Sequence, residues 1–596
     1  MPAREALPES ENMQSILNNW HSPGRNGSLR IACVAFLLVF CVVVVEMLSM
    51  NLSSVFSRSV VEQGDISANA LAIRDAKALS RITGNYSRYG FDHPGPFFLY
   101  VYAAGEYLFF DALGIVPSPH NAHVISGLLV QAAFFALAIA SIAYWTRSLL
   151  SVPIALLLCL IYLATLNSAE APDQFRGSVF MSIWAPHWVM FPTLAFLATC
   201  SSLAAGHCLF LPFALLCGSV VVHGYINTPI YIVPTFLFAY VAFHYSNWSA
   251  SRQSLFPRLV SNWREHALAT AILGVFVAPI ILDAIRGEQS NAHKVFVVLG
   301  EKSGSFHEFS DAFSYVLNFF TFLNHGAAQL NEIEGSAWEY LTSQWDMLVF
   351  WLLVVVLAFS LARFSRRKVN GIQAFQIYSA IIICLIWTTA AIYSATTMIG
   401  PLHFYVSYHF FAVPLFLLLV LASSMTYLLP PSARSSHTVF LLLSLGVLSL
   451  PAIPAFRESM SGYGWRLDRR ELLSPVKALP GVVEAALLAS TDRPGHIVLD
   501  LYDYSEEGQP RGLEWPIFWL GPPIGVLLER QGIPFLAHTN HPEVFGRNRI
   551  LNDVSSLRPD SVVWRFVSRD SAGPEAIPID SKTSLTVSRA GGVQGL

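Results

Sequence analysis

The residues of this chain best placed to do chemistry lie between its apolar runs rather than inside them. Asp65 falls in Glu62-Gln63-Gly64-Asp65, just behind the first apolar run, and Arg88 and His93 follow in a segment that closes with Asp92-His93-Pro94-Gly95-Pro96. A second group is Glu170, Asp173 and Arg176, ahead of Trp184, Pro186, His187 and Trp188. Further on stand His223 with Tyr225 and Asn227, then His403, Tyr405, Tyr408 and His409. Carboxylates can take a proton from a hydroxyl, and cationic or N–H donors can meet a phosphate. Each residue also has a plainer reading. Asp65 stands where a helix N-cap would stand. His93 sits in a turn, Arg88 on a loop, Arg176 beside acids it could pair with, and the tryptophans where membrane-interface anchors are usual. In the tail, Asp500 and Asp503 follow a β-type run, where acids bind ligands or, more often, begin turns. His403 and His409 share no helix face with an acid at metal-ligand spacing, and the seven cysteines contain no C-x-x-C pair. No structural metal is therefore expected.

The elements that must position these residues are set by composition. The chain is 54% hydrophobic and only 13% charged, about half the charge of an ordinary soluble domain. Lipid is the solvent this implies. A formal net charge of −3 gives no basic field for nucleic acid. Apolar runs near twenty residues recur at 31–50, 121–145, 152–167, 187–204, 207–223, 227–245, 267–283, 346–363, 373–394, 403–427 and 436–455. Such runs can cross a hydrocarbon core of about 30 Å. The run 31–50 is too long for a signal-peptide core and reads as an uncleaved anchor, with Arg25 and Arg30 holding the N-terminus in the cytoplasm.

Pro96 to Val116 is also apolar, yet counting it as a span places Arg252–Arg264 and the cluster Arg363, Arg366, Arg367 and Lys368 outside. Setting it aside makes them cytoplasmic. Its Glu106 and Asp111, among seven aromatic residues, suit a helix lying in the membrane interface. The expectation is a polytopic α-helical membrane protein of about 11 transmembrane helices, with interfacial helices in the first outer loop and a small C-terminal α/β domain. The expected divisions are a cytoplasmic tail 1–30, a transmembrane domain 31–455 with outer loops 51–120 and 284–345, and an extracytoplasmic domain 456–596. The tail shows strand-like runs at His496–Leu501 and Ser561–Val567 and a helical pattern at Ile517–Arg530, with Gly521-Pro522-Pro523 read as a boundary.

An acid just after the first span, an interfacial helix, a basic residue followed by proline and a second interfacial helix together resemble the GT-C superfamily. These membrane glycosyltransferases use polyprenyl-phosphate-linked sugars, and the layout is like that of dolichyl-phosphate-mannose and aminoarabinose transferases. The resemblance covers roughly 30–455 and the outer domain. It implies transfer of a hexosyl or pentosyl group to an envelope glycan, lipid or protein on the outer membrane face, with inversion. By resemblance Asp65 is the general base, Asp173 a second catalytic acid, and Arg88, His93, Arg176 and His403 contact phosphate or sugar. Many members carry two adjacent acids where this chain has Asp65-Ile66, which leaves a divalent cation open. Preference for arginine over lysine suggests a bacterial inner membrane.

A transporter or flippase of lipid-linked sugars would instead show pseudo-symmetric halves and polar mid-span residues, and neither is visible. An O-antigen ligase or polymerase would place arginine pairs in a late outer loop, where 284–345 has only Arg286. A scaffold would need no single outer acid. The long segment 284–345, with His293, Lys294, His307 and His325, reads as a lid or as a plain loop.

Overall fold

The computed structural model describes residues 24–57, 59–87, 89–168, 179–251, 260–287, 290–301, 307–320, 351–352, 354–360, 371–398, 400, 402–428, 443, 446–447, 450, 453–454, 474–490, 497–501, 517–539, 542–551, 557, 560–569, 572–579 and 583–589. Six helices among them are long and apolar enough to cross a membrane: Gly27–Phe56, Pro119–Thr146, Ala185–Ala204, Trp263–Ala284, Phe375–Thr396 and Val406–Ser424. Ser151–Leu163 and Cys208–Gly224 are shorter apolar helices. Half of the expected span 346–363 and most of 436–455 lie outside the described residues, so the count of eleven is not established.

The chain divides into two compact units. One gathers 1–52, 127–278 and 299–465; the other gathers 53–126, 279–298 and 466–596. The elements used below are α1 (Gly24–Phe56), α2 (Gly64–Lys77), α3 (Phe97–Gly105), α4 (Pro119–Thr146), α5 (Asn291–Glu301), α6 (Ser474–Ala489), β1 (Ile497–Asp500), α7 (Ile517–Arg530), β2 (Phe535–His538), β3 (Val562–Ser568), β4 (Ile577–Pro578) and β5 (Thr583–Arg589).

The first unit is a helical bundle centred on Ala185–Ala204, which is buried throughout. Trp184, His187 and Trp188 are buried in it, a correction to interfacial anchoring: packing removes these rings from any lipid boundary. Polar side chains inside the bundle pair with one another or with backbone. Tyr231 donates to Ser394 at 2.7 Å, Tyr162 to the Phe411 carbonyl at 2.9 Å, and His223 Nε2 to the Phe276 carbonyl at 2.8 Å.

The second unit combines helices with a mixed sheet of order β2-β1-β3-β5-β4. β1 pairs in parallel with β2 and β3, and β5 runs antiparallel to β3 and β4. Both tail strands and the helix expected from the sequence are present; α6, β2, β4 and β5 are added. Gly521-Pro522-Pro523 lies inside α7 rather than at its edge. A Cβ on Gly521 would come within 2.8 Å of Leu501 and 3.0 Å of Phe545, so glycine lets the helix lie close to the end of β1.

One face of the sheet buries Ile497, Leu499, Phe535, Ala537, Trp564 and Phe566 against α6 and α7, and Ala68, Ala70 and Leu71 of α2 belong to the same core. The loop helix and the tail thus share one apolar interior. Leu79, just past the end of α2, is 79% exposed. The helix ends at Lys77 and Leu79 has φ +57, which turns its side chain off the helical face.

Candidate active site in the first loop

Asp65 opens α2 from its first turn, but Gln63 is the N-cap and no side chain caps the helix. The capping reading of Asp65 is therefore corrected. Gly64 supplies the turn at φ +51, a conformation that costs a side-chain-bearing residue energy. The half-buried Asp65 carboxylate accepts a hydrogen bond from the Tyr86 phenol.

Tyr86 belongs to a short antiparallel pairing of residues 84–87 with 91–93. Tyr86 and Asp92 form an antiparallel bridge, and the Gly84 and His93 N–H groups donate to the His93 and Asn85 carbonyls, each at 2.8 Å. Gly84 is required by space: a Cβ there would lie 2.8 Å from the Gly95 carbonyl oxygen and 3.0 Å from that of His93. Arg81 fastens the base, donating from Nε to the Thr83 carbonyl at 3.0 Å and pairing with Asp92 at 3.1 Å. Thr83 donates to the same Asp92 carboxylate at 2.7 Å. Asn291, at the start of α5, clasps Asp92 through both backbone groups, at 2.6 Å each. Part of the 284–345 segment is thus helical and clasped to the first loop, rather than a plain loop. Sequence reading missed Arg81, Tyr86 and Asn291. The short spacing from Arg81 to Asp92 across a Gly-Asn turn sequence was the available signal for the first two.

His93 is buried, edge-on to Phe91 at 6.4 Å. Desolvation pulls its imidazole down to about 4, so near pH 7 it is neutral and offers an N–H rather than a charge.

Two ion networks hold α2 in place. At its N-terminal side the fully buried Glu62 meets Arg530 of α7 bidentately, with one contact at 2.9 Å. Burial alone would raise the Glu62 carboxyl, but the Arg530 charge and hydrogen bond more than offset it and hold it below the usual range. At the C-terminal side Arg549 bridges Asp75 at 2.8 Å and Glu529 at 2.6 Å, and Arg74 joins Glu529 at 3.0 Å.

The 97–116 stretch forms the nine-residue α3 and a seven-residue π-turn, Glu106–Ala112. It is not among the helices long enough to cross a membrane. Its acids are paired: Lys77 reaches Glu106 at 2.7 Å and Asp111 at 2.5 Å, and His123 of α4 meets Glu106 at 2.8 Å. Burial opposes charge on Glu106, yet His123 and Lys77 prevail and take it down to about 2.

Arg88, Asp173 and Arg176 lie outside the described residues. His403 belongs to the other unit, where its carbonyl accepts from Tyr315 at 2.8 Å. Asp65 and His93 are thus in one unit, joined through the hairpin. Among the described residues no group of three or more His, Cys, Asp or Glu could hold a metal ion.

Six helices among the described residues are long and apolar enough to span, which marks a multi-pass membrane protein, and close behind the first of them Asp65 accepts from Tyr86. No family model and no curated protein matches the chain. Among solved structures it is similar to the archaeal oligosaccharyltransferase AglB from Archaeoglobus fulgidus, in complex with an inhibitory peptide and a dolichol-phosphate. The identity is 13% over 75% of this chain and 58% of that one, with a TM-score of 0.38. The chain therefore spans less than two thirds of AglB's length.

Proposed function

We propose that the protein is a membrane glycosyltransferase that takes a sugar from a polyprenyl-phosphate donor and passes it to a hydroxyl of an envelope glycan, lipid or protein at the outer face of a bacterial inner membrane. The observation that carries this reading is the placement of Asp65. Its carboxylate sits in the first turn of α2, a few residues beyond α1, oriented by Tyr86 on a hairpin held by Arg81 and Asn291. A lipid-borne sugar must react at the membrane surface, since its tail stays in the bilayer.

In this reading the acceptor hydroxyl gives its proton to Asp65 as its oxygen attacks the anomeric carbon. The bond to the donor phosphate breaks with inversion through an oxocarbenium-like state. The leaving phosphate needs N–H donors or cations. His93 offers an N–H, and Arg88, Arg176 and His403 are the other candidates, with Asp173 as a second acid. Tyr86, donating to Asp65, steadies the carboxylate until the acceptor hydroxyl takes over as donor.

The test is an envelope-glycan profile of the host lacking this gene, complemented at matched membrane levels. Wild type should restore the missing sugar and Asp65→Asn should not, with the variant's thermal midpoint close to wild type. Equal restoration by both would remove Asp65 from the chemistry and favour a transporter of lipid-linked sugars or a scaffold.

A further inference from the structure

We propose that the tail's sheet carries a separate binding site for a small oxyanion, a phosphate or a carboxylate, built by His538, Asp500 and Arg565. The site follows from strand order. β1 lies between β2 and β3, all three parallel, so the chain leaves β1 toward one neighbour and later returns on its other side. In open α/β sheets the crevice beyond the carboxyl ends of strands at such a reversal is where ligands bind. Asp500 is the last residue of β1, in register with His538, the last of β2, and with Arg565 on β3.

Residues in register on neighbouring strands share a face. Two positions earlier, that face carries Val498, Leu536 and Val563, packed with Leu551 and Leu557. It is the thinner of the sheet's two faces, since α6 and α7 serve the other. At the carboxyl edge the apolar row gives way to the polar row of His538, Asp500 and Arg565.

The chemistry of that row is that of an anion cradle with an internal anchor. The Asp500 side chain is 1% exposed and accepts from Arg565 Nε at 2.6 Å and His538 Nδ1 at 3.2 Å. Arg565 and His538 remain 30% and 21% exposed. A guanidinium held through Nε still has its two terminal nitrogens, the fork that binds phosphate or carboxylate bidentately. Asp500 fixes the fork's orientation in advance, which lowers the cost of binding. The arrangement suits an acidic group on the acceptor or on a neighbouring lipid, and it does not depend on Asp65.

The test uses the full-length protein in detergent. Its thermal midpoint is followed against inorganic phosphate, and against glucuronate, with chloride at matched ionic strength as control. Phosphate should raise the midpoint with saturation in the millimolar range, and Arg565→Gln should remove that rise. Arg565→Gln strands a buried carboxylate, so the paired variant Asp500→Asn/Arg565→Gln is measured too; it folds without an unpaired buried charge and should also lack the saturating rise. Phosphate strengthens burial nonspecifically, and that linear part persists in every variant. No saturating rise in wild type, or one unchanged in the paired variant, overturns the proposal. A matching response to glucuronate identifies a general oxyanion site; a response to phosphate alone identifies a phosphate site.

Discussion

At the scale of single residues, the first loop shows how burial and partners set charge. His93 is buried, and its imidazole titrates near 4 rather than at the ordinary 6.5. A histidine depressed on folding contributes stability that is complete above the unfolded pKa and is lost as pH falls through the folded one. Stability should therefore decline from about pH 6.5 toward about pH 4, by about 3 kcal/mol for a shift of this size. Thermal midpoints of wild type and His93→Gln across that range check this, and the two curves should converge toward the acid end. Glu106 works lower on the scale: with a folded value of about 2 against 4.5, its contribution is complete above about 4.5 and disappears as pH drops toward 2. Glu106→Gln should flatten that limb of the profile and leave the His93 window intact.

At the scale of elements, α2 is a helix whose ends are tied down by ions. Glu62 is fully buried against Arg530. Removing one partner of a buried pair leaves the other charge uncompensated, at a cost of about 3–5 kcal/mol. Arg530→Gln should therefore destabilise far more than the combined Glu62→Gln/Arg530→Gln, and denaturation of the three purified proteins distinguishes them. The hairpin bearing His93 is sensitive in another way. Gly84→Ala drives a methyl into the Gly95 and His93 carbonyls, which cannot move without opening the backbone pairs at 84 and 93. The expected result is faster proteolysis within 81–96 while the helical bundle stays protected; unchanged cleavage there would contradict the steric account.

At the scale of the whole molecule, the tail is not an appendage. Ala68, Ala70 and Leu71 of α2 share a core with Leu479, Val483, Leu499, Ile524 and Trp564. Neither part can bury that surface without the other. A fragment spanning 466–596 alone should expose apolar surface, bind a hydrophobic dye and lack a cooperative transition. A chain truncated after 465 should lose the ordered first loop and, with it, complementation of the glycan profile. A cooperatively folding tail fragment would refute the shared core.

The sequence by itself determined the features that depend on local composition. Apolar runs and sparse charge mark helices for a lipid solvent, and β-type runs at 497–500 and 562–568 mark tail strands. These follow from periodicity and transfer energy, which each segment carries alone. The tertiary structure decided what depends on partners far apart in the chain. Asn291 closing on Asp92 spans 199 positions, Glu62 meeting Arg530 spans 468, and Arg549 meeting Asp75 spans 474. It also decided that Asp65 accepts from Tyr86 rather than capping α2, and that Asp500 accepts from both Arg565 and His538. An acid's role is set by which donor reaches it, and that donor is chosen only when the chain has packed.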